Sequence, residues 1–201
     1  MKNVLVINSS ISGDNGHSTK LSKAFLAKLG SGIKLTEIDL SAAPLPHLEM
    51  KEIAAWMTPA TERTAEQQQL ADYSDKLIEQ VKAADVIVFG VPMYNFGIPS
   101  QLKSVLDRLA RAGITFNYTE NGPVGLLTDK PVIVLATRGG IYQGTAADSQ
   151  TPFLTSFFNF IGLTQLHFVY AEGLNMGAEA ADKALAAAQQ QLGTLSDKVA
   201  A

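Results

Sequence analysis

The sequence predicts an α/β fold built on a parallel sheet, and three observations carry that expectation. Short apolar runs at Val4–Ile7, Val86–Phe89 and Pro131–Ala136 show no alternation, as strands covered on both faces require. Stretches with helical spacing separate them, which calls for right-handed crossovers between parallel strands. Polar or glycine-rich loops follow each run, at the strand ends where open α/β sheets bind ligands. The 201 residues read as one domain over 1–201, long enough for a substantial core.

Taken in order, Val4–Ile7 leads into the polar loop Asn8–Ser18, and a helix capped by Ser18 or Thr19 is expected to bury Leu21, Phe25, Leu26 and Leu29. Ile33–Leu40 is a more polar strand, suited to an edge. Between Pro44 and Pro59 a short helix would hold Met50, Ile53 and Trp56, and a long helix then turns Leu70, Tyr73, Leu77, Ile78 and Val81 inward. Val86–Phe89 ends at Gly90 and Pro92. Past the Met93–Gly97 loop, a helix with Pro99 in its first turn carries Ile98, Leu102, Val105, Leu106 and Leu109 on one face. Gly113–Lys130 looks neither helical nor buried, and its Asn121-Gly122 pair predicts a hairpin turn or flap. Pro131–Ala136 closes with Thr137–Gly140. Pro152–Ile161 is an aromatic-rich helix, Leu166–Tyr170 a last strand and Ala178–Val199 an alanine-rich closing helix.

Five such strands suit the flavodoxin-like order 2-1-3-4-5, with helices on both faces of the sheet. That order brings the Ser9–Ser18 loop beside Met93–Gly97, with Thr137–Gly140 arriving on the same edge.

Composition narrows the chemistry. A net charge of −3 without a long basic run argues against nucleic-acid binding. With no cysteine there is no disulfide, thiolate nucleophile or cysteine zinc site. No apolar stretch approaches a membrane span, and the chain starts directly in a strand, so a cytoplasmic protein without membrane contact is expected. His17, His47 and His167 lack metal-ligand spacing, and no Gly-x-Ser-x-Gly nucleophile motif occurs.

The first loop offers serines at 9, 10, 12 and 18 and glycines at 13 and 16 before a helix N-terminus. Such a loop binds phosphate through free amides and the helix dipole, or simply caps the helix; the residues alone leave both open. It has neither the Gly-Lys-Ser/Thr of a nucleotide-hydrolysing loop nor a dinucleotide fingerprint. Met93-Tyr-Asn-Phe-Gly97 puts two aromatics and an amide at a strand end, which suits a planar heteroaromatic ligand. Gly139 and Gly140 let backbone approach a flat ring, while Arg138 suits either a solvated charge or a carboxylate pair.

Together Pro92–Ser100, Thr137–Gly140, Phe160-Ile-Gly162 and Ala171-Glu-Gly173 resemble the FMN-dependent NADH:azoreductases, also called FMN-dependent NADH:quinone oxidoreductases. The resemblance runs from Val4 to the last helix. It implies a homodimer with active sites at the subunit interface and one non-covalent FMN per subunit. By matching positions, Ser10, Gly16, His17 and Ser18 hold the phosphate. Met93, Tyr94, Asn95 and Phe96 line the isoalloxazine, and Thr137, Arg138, Gly139 and Gly140 meet another part of the ring system. Tyr118 on the flap and Phe160 from the partner subunit border the substrate. The resemblance departs at 16–18, where relatives often read Ser-Gln-Ser and this chain reads Gly-His-Ser.

The implied reaction is ping-pong: hydride passes from NADH or NADPH to the flavin, then to a quinone or azo compound. No side chain is assigned as a certain catalyst; Asn95 and Tyr118 are supporting candidates. A one-electron flavin carrier and a non-catalytic nucleotide-binding domain are the rival readings.

Overall fold

The architecture comes from a computed structural model, which describes residues 1–200. Five parallel strands form the sheet: β1 (Lys2–Asn8), β2 (Ile33–Asp39), β3 (Val86–Pro92), β6 (Val132–Thr137) and β7 (Leu166–Ala171). Their order is β2-β1-β3-β6-β7, the 2-1-3-4-5 pattern once the hairpin strands β4 (Phe116–Thr119) and β5 (Gly122–Gly125) are set aside. Six helices accompany them: α1 (His17–Leu29), α2 (Met50–Met57), α3 (Ala65–Ala83), α4 (Ser100–Leu109), α5 (Gln150–Phe160) and α6 (Ala178–Ala200).

The strand pattern sorts the core into two layers, because successive side chains point to opposite faces. Leu5, Ile7, Ile87, Phe89, Val91, Val132 and Val134 pack on one side against Leu77, Ile78 and Val81 of α3, Leu102 and Leu106 of α4, and Leu154 and Phe158 of α5. Val4, Val6, Val86, Val88, Ile133 and Leu135 face the other way, against Leu21 and Phe25 of α1 and Ala188 and Leu192 of α6. β1, β3 and β6 have neighbours on both sides, so nearly every residue in them is buried. β2, with one neighbour, has no buried residue, as its polar sequence predicts for an edge.

Helix ends follow local chemistry. Thr64 opens α3 with a capping box: its hydroxyl accepts from the Gln67 amide, and the Gln67 side chain accepts from the Thr64 amide. Lys130 closes the same helix by donating to the carbonyls of Val81, Lys82 and Ala84.

Several expectations are corrected. α1 begins one to two residues before the hydroxyls expected to cap it: Gly16 is the cap, and Ser18 and Thr19 are buried inside the first turn. The 3₁₀ turn Gly13–Asn15 leads into Gly16, which makes no side-chain cap bond, so the opening amides of α1 are left without one. Met50 and Tyr73 are exposed, and α2 buries Glu52 and Ala55 instead. Ile98 precedes α4. The hairpin turn is Glu120-Asn121, one residue earlier than expected; Gly122 pairs with Thr119 at φ +105°, which glycine tolerates without strain. The hairpin's base is buried, at Thr115, Phe116 and Leu127, because it docks on the end of α5. There Leu127 donates to the Ile161 carbonyl, and a Cβ at Gly125 would lie 2.1 Å from the Gly162 nitrogen.

Candidate functional site

β1, β3 and β6 deliver three loops to one end of the sheet. The first runs from Ser9 to Ser18. Ser9 is locked onto β3, its amide and hydroxyl both donating to the Gly90 carbonyl. Ser10 turns its hydroxyl into the loop, where it accepts from the Ser12 amide. A Cβ at Gly16 would sit 2.2 Å from that hydroxyl, so the bare glycine is what lets Ser10 occupy the space. The opening amides of α1 have no intrahelical acceptor. At the same helix start, the buried Ser18 and Thr19 hydroxyl oxygens have no partner among the described residues. Unpartnered buried hydroxyls beside free helical amides suit an anion of phosphate size. His17 is exposed at this helix start.

The second loop is a tight turn. Tyr94 and Gly97 exchange two backbone hydrogen bonds, which leaves Asn95 and Phe96 at its tip with φ of +49° and +65°. Among the described residues they are the only non-glycines with positive φ. Such backbone is costly, more for phenylalanine than for asparagine, and it persists where surrounding structure imposes it. The consequence is chemical: the Asn95 and Phe96 amides donate no hydrogen bond among the described residues. The Tyr94 hydroxyl lies 3.4 Å from the Ser10 hydroxyl and accepts from the Ile11 amide, so the first two loops are fastened together.

The third loop, Thr137–Gly140, supplies a floor. The Thr137 carbonyl accepts from the Met93 amide, and the Gly139 and Gly140 carbonyls accept from Asn175 and Gly173. Met93, Asn95, Phe96, Gly139, Gly140, Tyr142 and Asn175 enclose a cavity of about 440 Å³. Its aromatic wall is Phe96 against Tyr142, ring centroids 5.7 Å apart and edge to face. Side chains at the two glycines would close it: a Cβ at 139 would lie 2.5 Å from Asn175 Nδ2, and one at 140 would lie 2.8 Å from the Tyr142 hydroxyl. A second cavity, about 620 Å³, opens beyond Gly97 beside His47 and Phe153, but its Lys103 is already paired with Asp107.

Arg138 does not face the cavity. Its fully buried guanidinium pairs with Asp148 at 2.8 Å and Glu172 at 3.0 Å and lies over the Tyr170 ring. Of the two roles open for it in the sequence, the carboxylate pair is the one it fills. Burial alone would raise the Asp148 carboxyl, but hydrogen bonds from Thr151 and Arg138 outweigh it and hold the group below the usual carboxylate range. Burial likewise pushes the Tyr170 hydroxyl up.

Tyr118 and Phe160 are brought together, but not to this cavity. Their rings flank Phe116, with centroids 5.3 Å and 4.2 Å from it. They sit at the far end of α5, whose 11 residues span roughly 15 Å. Tyr142, Asn175 and Gln150 had no sequence signal of their own. Only the Ala171-Glu-Gly173 segment hinted that the loop after β7 joins the site.

Fold and site together define a flavodoxin-like domain whose converging loops suit a phosphorylated planar ring. The family model for the flavodoxin-like fold matches residues 2–195. An FMN-dependent NADH:quinone oxidoreductase of Alteromonas mediterranea is 53% identical over 96% of this chain and 97% of its own length. One from Alcanivorax borkumensis is 55% identical over 94% and 98%. A solved FMN-dependent NADH-azoreductase from Bacillus anthracis, in complex with FMN, superposes with a TM-score of 0.89 at 28% identity, covering 100% of both chains. The chain belongs to the family of FMN-dependent NADH:quinone oxidoreductases.

Proposed function

We propose that this chain, using FMN and NADH or NADPH, reduces quinones to hydroquinones in one ping-pong cycle and cleaves aromatic azo compounds to two amines in two such cycles. The observation that carries the reading is the Tyr94–Gly97 turn, whose Asn95 and Phe96 line the cavity with Gly139 and Gly140 and keep amides without an acceptor among the described residues. Bound FMN supplies the hydride chemistry. The protein's part is to hold, orient and polarise. Ser10, Gly16, His17 and Ser18 hold the phosphate, with the Ser18 and Thr19 hydroxyls as spare donors. Met93, Tyr94, Asn95 and Phe96 line the ring, and the Asn95 and Phe96 amides favour negative charge on it. Thr137, Gly139 and Gly140 form the opposite edge, while Arg138 acts through its neighbours.

The same proposal includes a homodimer. Tyr118 and Phe160 lie too far from the cavity of their own chain to border a substrate there, so they reach the acceptor space from a second copy. A Tyr118 hydroxyl placed in that way can hand a proton to the acceptor. The cell compartment proposed is the cytoplasm, where the NADH donor is held. Among the described residues no helix is long and apolar enough to cross a membrane.

An anaerobic titration of the FMN-loaded protein with NADH, then benzoquinone, tests the reading. Bleaching of the flavin band without a semiquinone, followed by reoxidation by the quinone, is expected. A flavin that neither NADH nor NADPH bleaches makes this a carrier reduced by a partner protein, and the enzyme reading fails.

A further inference from the structure

The turn at 94–97 carries backbone strain that its own residues do not justify, so something outside it must impose the geometry. The grip comes from the start of α5. Gln150, 1% exposed, donates through Nε2 to the Pro92 carbonyl at 3.0 Å and to the Gly97 carbonyl at 2.9 Å, one at each end of the turn. Its Oε1 accepts from Arg138 Nε at 3.2 Å. Next to it, the Ser149 hydroxyl donates to the Phe96 carbonyl. The direction of the Gln150 amide is forced: Arg138 can only donate and the two carbonyls can only accept, so a flipped amide would lose all three bonds.

We propose that Gln150 is a positioning residue of the flavin site, its amide oriented by Arg138 so that it sets the span from Pro92 to Gly97. That span fixes where the Asn95 and Phe96 amides point. Asp148 and Glu172 hold Arg138, and so bear on the turn through two intermediaries without touching the cavity floor. This rests on the reading that FMN occupies the cavity. It explains why an arginine on a loop that meets the ligand is itself buried and turned away.

Two substitutions test it. Gln150→Met keeps the volume but has no donor. Gln150→Glu keeps and strengthens the contact with Arg138, but sets a carboxylate against two carbonyls. If Gln150 acts only as packing or as a partner for Arg138, the glutamate variant behaves as wild type; if its two donors position the turn, it does not. FMN affinity by fluorescence quenching, the reduction potential of the bound flavin and the melting of FMN-free protein are measured for wild type and both variants. The expectation is FMN binding about tenfold weaker in each. The potential should also move lower, because misdirected amides stabilise the reduced ring less. Should the methionine variant not fold, the glutamate variant decides alone. Wild-type affinity and potential in Gln150→Glu overturn the proposal while leaving the FMN reading intact. Wild-type protein that binds no FMN overturns that reading, and the proposal with it.

Discussion

A single missing methyl group shapes the Ser9–Ser18 loop. At Gly16 the space a Cβ needs is taken by the Ser10 hydroxyl and Cβ, 2.2 and 2.6 Å away, and a serine this short cannot withdraw without leaving the loop. Gly16→Ala is therefore expected to cost about 1–3 kcal/mol of stability through overpacking and to weaken FMN binding. Thermal melting and flavin-quenching titrations on the same preparation check both; an alanine variant with unchanged affinity would show that Ser10 takes no part. The neighbouring turn shows the opposite economy. Phe96 keeps a large side chain 58% exposed on left-handed backbone, an arrangement that stability alone does not reward. What it provides is the edge-to-face contact with Tyr142 that walls the cavity.

Between elements, polar links do work that apolar packing cannot direct. Arg108 of α4 and Glu52 of α2 form a buried two-pronged pair, Nε to Oε1 at 2.7 Å and Nη2 to Oε2 at 2.6 Å. Removing one partner strands a buried charge, so Glu52→Leu should destabilise by about 3–5 kcal/mol, while the double variant Glu52→Leu with Arg108→Met should recover most of that loss. Urea unfolding of the three proteins measures it, and additive losses would refute the pairing argument. Asp129 joins the loop after β5 to the turn before β7, accepting from the Thr164 amide and hydroxyl and the Gln165 amide. Burial pushes this carboxyl up, but the hydrogen bonds prevail and lower it from 3.8 to about 2. A depressed acid stabilises the folded state fully above its unfolded pKa, and that contribution is lost as pH falls from about 4 through 2. Asp129→Asn should flatten this part of the stability profile; an equal acid slope in both proteins would count against it.

At the scale of the molecule, the residues proposed for flavin and for substrate lie at two ends of the fold. Phe160 and Tyr118 surround Phe116 at one end, and the cavity lies at the other. Phe153 and Tyr118 are both exposed, at 38% and 76%, large apolar groups that a second copy can cover. Sedimentation is expected to give a dimer, and Phe160→Glu a monomer with little quinone reductase activity. A monomeric wild type with full turnover would rule out a shared active site.

What the sequence determined by itself is local. Runs such as Val86–Phe89 and Val132–Leu135 specify strands because side-chain alternation and burial act over a few neighbouring residues. Glycine and proline mark the loops for reasons contained in one residue's own backbone. Strand order came from the flavodoxin-like pattern that five such strands suit. The tertiary structure alone decided where side chains at the loop ends turn. Arg138 sits beside two glycines of the site, yet it faces inward because the carboxylates of Asp148 and Glu172, 10 and 34 residues further on, offset the burial of its charge. Gln150 reaches the turn across 53 to 58 residues. The start of α1, the hairpin register and the separation of Phe160 from the cavity likewise depend on packing between distant segments. Periodicity records which face a residue takes, but not which partner waits there.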